Sequence, residues 1–165
     1  MGGGAAPVDP IVAIDDILGD EARRTGMQSL SKVNIFNIVC LPADPTVTWG
    51  AADLAKAVSF CADHRAMLIV DPPTTWTASG NPVQFDTVNS NPAVSSALPN
   101  AAVYYPNLVL AGAGGESFQV GPSGAVAGVW AATDATRGVW KAPAGLTACL
   151  IGVRPRLRPP PPASR

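Results

Sequence analysis

VNIFNIVCLPADPTVTWGAADLAKAVSFCADHRAMLIVD, residues 33–71, decides the fold. Residues 33–42 are rich in β-branched and aromatic side chains and stop at Pro42, which predicts a buried strand. From Ala51 to Arg65, Leu54, Ala57, Val58 and Cys61 recur at helical spacing, while Asp53, Lys56, Ser59 and Asp63 fall mainly on other faces. An amphipathic helix is expected there. AMLIV, 66–70, is a continuous apolar run ended by Asp71-Pro72-Pro73, as in a strand covered on both faces. Strand, helix, strand in that order predicts a parallel crossover, and with it an α/β domain whose mainly parallel central sheet is flanked by helices.

Upstream, residues 1–10 read as a flexible Gly/Ala start. Asp9 to Leu30, with Ile11, Val12, Ile14, Ile17 and Leu18, suggests an edge strand or short helix and then a helical turn. Residues 72–100 hold five prolines among Thr, Ser and Asn and read as loop, a length that usually means function or contact. AAVYYPNLVL reads as a strand broken at Pro106, AGAGGE as a turn, and SFQV as a hairpin partner. Pro122 suits the first turn of a helix over about Ser123 to Thr136, with Val126, Val129 and Trp130 as its apolar stripe. Ala125, Ala127, Gly128, Ala131 and Ala132 would let neighbours approach it closely. The domain is placed at 11–153, and the Pro/Arg-rich stretch 154–165 reads as a polyproline-like or disordered tail.

Charge narrows the partners. Up to Val153, seven Lys and Arg face twelve Asp and Glu, a balance of −5, so the folded part has no basic footprint for nucleic acid. Charged residues are only 14% of the chain against 47% hydrophobic, which implies burial against partners. Cys40, Cys61 and Cys149 lack any C-x-x-C spacing and read as small core residues. MGGGAAPVDP has neither the basic region nor the apolar run of a secretory signal, and no run is long enough to span a bilayer.

Three chemical readings compete at particular residues. Ser123 in PSGAVAG loosely echoes the serine-bearing loop-to-helix segment of subtilisin-like hydrolases, which would need His64 as base and Asp44 or Asp15 as acid. His64, between Asp63 and Arg65, suits a helix C-terminus better. AGAGG at 111–115 lacks the Lys-Ser/Thr of a phosphate loop and reads as a hairpin turn. Asp71 could serve a metal or nucleotide, yet the two following prolines favour a rigid turn. No cofactor or metal is expected. Trp130, Trp140, Tyr104 and Tyr105 read as core or subunit packing, and Arg137 and Lys141 either as solvated surface charges or as partners for an acidic face of a neighbour.

Four blocks resemble the tail sheath proteins of contractile phage tails, R-type bacteriocins and related injection systems. They are ILGDEARRTGMQSLSKVNIFNIVCLP at 17–42, FCADHRAMLIVDPP at 60–73, NAAVYYPNLVL at 100–110 and GPSGAVAGVWAATDATRGVWKAPAG at 121–145. The run RGVWKAPAG, 137–145, is the most specific. Ala132 stands where the family usually has arginine, and the turn between Leu110 and Phe118 is short. The resemblance implies a subtilisin-like middle domain without a catalytic triad, in a structural subunit that polymerises around an inner tube and contracts to drive it through an envelope. It implies sheath subunits, the tube protein and a baseplate as partners, and neither nucleic acid nor membrane insertion. It places the protein in a virion tail or phage-like particle, and in the host cytoplasm during assembly. Family members carry further segments at both ends, so a partial sheath domain is expected. Arg137, Trp140, Lys141 and Pro143 are the candidate interface residues. The alternatives are a serine hydrolase of subtilisin-like architecture and a prophage remnant without function.

Overall fold

A computed structural model describes residues 13–42, 49–72, 99–112, 115–146, 148–151 and 153–155. The expected loop at 72–100, apart from its ends, lies outside these residues.

The decisive stretch folds as a parallel α/β unit. Strand β1, Ile38–Leu41, is followed by helix α2, Ala51–Asp63, and strand β2, Met67–Val70; β2 pairs parallel to β1 and to β3, Ala101–Val103, in the order β1-β2-β3. Leu54, Ala57, Val58 and Cys61 are buried as their spacing predicts, and Phe60 joins them. Asp53 accepts the Gly50 N–H at 3.3 Å, satisfying a donor at the start of α2.

Alternation along the strands builds two interfaces. Val39, Leu41, Leu68 and Val70 join the α2 residues in one core, together with Leu18 and Met27. Cys40 and Ile69, which pair across the sheet, have the opposite parity, and the Cys40 thiol meets the Ser123 carbonyl at 3.5 Å. Helix α3, Ser123–Arg137, therefore covers the face opposite α2, giving helix, sheet and helix layers. The α2 layer also holds the short helix α1, Ile14–Leu18, and a 3-10 helix, Gly26–Lys32. Gly19 and Gly26 have positive φ of 74° and 50° and stand so close that a Cβ on either would strike the other's backbone. That contact closes the turn Asp20–Thr25, tied by Asp20 N–H to Thr25 Oγ1 at 2.9 Å.

Some expectations are corrected and others refined. The first strand starts at Ile38 rather than Val33, because its pairing begins at the Met67 N–H to Asn37 carbonyl bond and leaves Ile35 79% exposed. The expected hairpin forms. β4, Leu108–Ala111, and β5, Ser117–Val120, form a second, antiparallel sheet in which β6, Val153–Pro155, takes the other side of β4. The expected break falls at the cis Tyr105–Pro106 bond, where the chain passes from one sheet to the other. Arg154 and Pro155 pair with Val109 and Leu108 as part of β6, an edge strand that tolerates proline. Finally, of the three cysteines only Cys61 is buried; Cys40 is half-buried and Cys149 is exposed.

Candidate functional site

The entry of α3 is the most tightly built polar feature. Asp71 ends β2, is 7% exposed, and accepts the Ser123 N–H at 2.7 Å from 52 residues away in sequence. A buried carboxylate at this position satisfies an orphan donor of the helix and complements its positive end. Gly121 is required beside it, because a Cβ there would land on the Asp71 carboxylate. Ser123 itself is 1% exposed. Burial and then the nearby Asp71 charge push the Cys40 thiol up, and burial pushes Cys61 up to about 11. Neither sulfur is set up as a nucleophile.

The residues of a serine triad are not brought together. His64 caps the C-terminus of α2, its Nδ1 2.8 Å from the Phe60 carbonyl and its ring 4.3 Å from that of Phe60. It lies before β2, whereas Ser123 is bonded to Asp71 after β2, and four extended residues separate the two ends by about 13 Å. Asp15 is exposed on α1, and Asp44 lies outside the described residues. Among the described residues no three His, Cys, Asp or Glu side chains converge as metal ligands, and no helix is long and apolar enough to cross a membrane.

Past α3 the chain forms a different kind of site. Gly138, at φ +90°, donates its N–H to the Asp134 carbonyl at 3.0 Å and ends the helix. The Trp140 ring lies directly over Gly138, leaving no room for a Cβ, so the glycine of RGVW is needed for both conformation and contact. Lys141 N–H returns to the Gly138 carbonyl at 3.0 Å, and its Nζ reaches the carbonyls of Ala142 at 2.9 Å and Ala144 at 3.5 Å. Ala148 N–H closes a further turn on the Gly145 carbonyl at 3.0 Å.

These turns hold apolar side chains outward. Val139 is 79% exposed, Trp140 85%, Leu146 96% and Ile151 95%. Single exposed apolar residues are ordinary, whereas four of them fall here within one turn-rich segment of the chain. Of the four expected interface residues, Arg137, Trp140 and Lys141 are exposed in this segment and Pro143 is half-buried. Sequence reasoning missed Val139, Leu146 and Ile151, whose apolar character reads equally well as core. It also missed the Asp71–Ser123 link. Tyr104 and Trp130, by contrast, pack inside the chain, edge to face at 6.3 Å, with the indole N–H donating to the Tyr104 hydroxyl at 3.1 Å. No protein-family model matches the chain, and no curated protein matches it.

Proposed function

We propose that the chain is a structural subunit, or the subtilisin-like part of one, of a contractile tail sheath, polymerising around an inner tube and contracting to drive it through a cell envelope. The observation that carries this reading is the platform from Gly138 to Ile151, where the RGVWKAPAG run is braced by turns while Val139, Trp140, Leu146 and Ile151 face outward. A side chain as costly to leave in water as Trp140 fits a surface that becomes buried on assembly. Repeated heterologous contacts are what a helical sheath requires, and contraction is a rearrangement of those contacts between two arrangements, driven by stored free energy rather than nucleotide hydrolysis. In this role Ser123 is the entry of a packing helix and carries no catalysis. The partners are other sheath subunits, the tube protein and a baseplate, in a virion tail or phage-like particle assembled in the host cytoplasm.

Electron microscopy of the purified chain over a concentration series tests this. Stacked rings or tubes are expected; a monodisperse monomer at every concentration counts against the sheath role.

A further inference from the structure

We draw no further inference here: the strongest candidate, the buried Asn107 side chain at the start of β4, whose Oδ1 has no hydrogen-bond partner among the described residues, carries nothing, because no second unpartnered buried polar side chain and no cluster of His, Cys, Asp or Glu among those residues joins it to hold a ligand.

Discussion

Asp71 is the residue on which the layering turns. Its carboxylate joins the end of β2 to the start of α3, and a charged, buried hydrogen bond of this kind contributes about 1.5–3 kcal/mol. Asp71→Ala is therefore expected to lower stability by about 2 kcal/mol in chemical denaturation, leaving the Ser123 N–H without its acceptor. Gly121→Ala should cost about 1–3 kcal/mol by crowding the same carboxylate; an unchanged midpoint in both variants would show that α3 is held by other means. The sequence displayed Asp71 only as the residue between an apolar run and two prolines. Nothing local links it to a serine 52 positions on, because the bond exists only where α3 is packed against the end of the parallel sheet.

At the scale of elements, α2 and β2 were legible because apolar spacing and burial coincide: Leu54, Ala57, Val58 and Cys61 point where the period puts them. β1 was over-extended because Val33 and Ile35 look like strand residues, while among the described residues no strand pairs with them. Helix α3 has the expected bounds to within a residue, with Pro122 just before it instead of inside its first turn, and Val126, Val129 and Trp130 only half-buried. Its Gly128, Ala131 and Ala132 are exposed, and a Cβ added at Gly128 would meet nothing within 4 Å. Gly128→Ala is thus expected to stabilise the isolated chain by about 0.5–1 kcal/mol through helix propensity alone. A lower denaturation midpoint would reveal a neighbour packed on that face.

Across the whole molecule, the parallel order of the central sheet followed from the strand, helix, strand pattern, whereas the second sheet did not. Pro106 marked a break in AAVYYPNLVL but not that the two halves serve different sheets, and a Pro/Arg stretch gives no sign that its first residues complete one. The candidate platform was legible in part: its motif marked Arg137, Trp140, Lys141 and Pro143, but exposure is a property of the assembled layers. The layers are also unequal. α2 buries five residues and α3 only Ser123, so α3 is the part that opens first, with α2 and β2 retaining their protection. Amide hydrogen exchange should show α3 exchanging at a lower opening free energy than α2 or β2, and equal protection would contradict that order. A helix that undocks while the core stays closed carries the segment that follows it along, so in the proposed sheath the outward apolar side chains of that segment would change position without the chain unfolding.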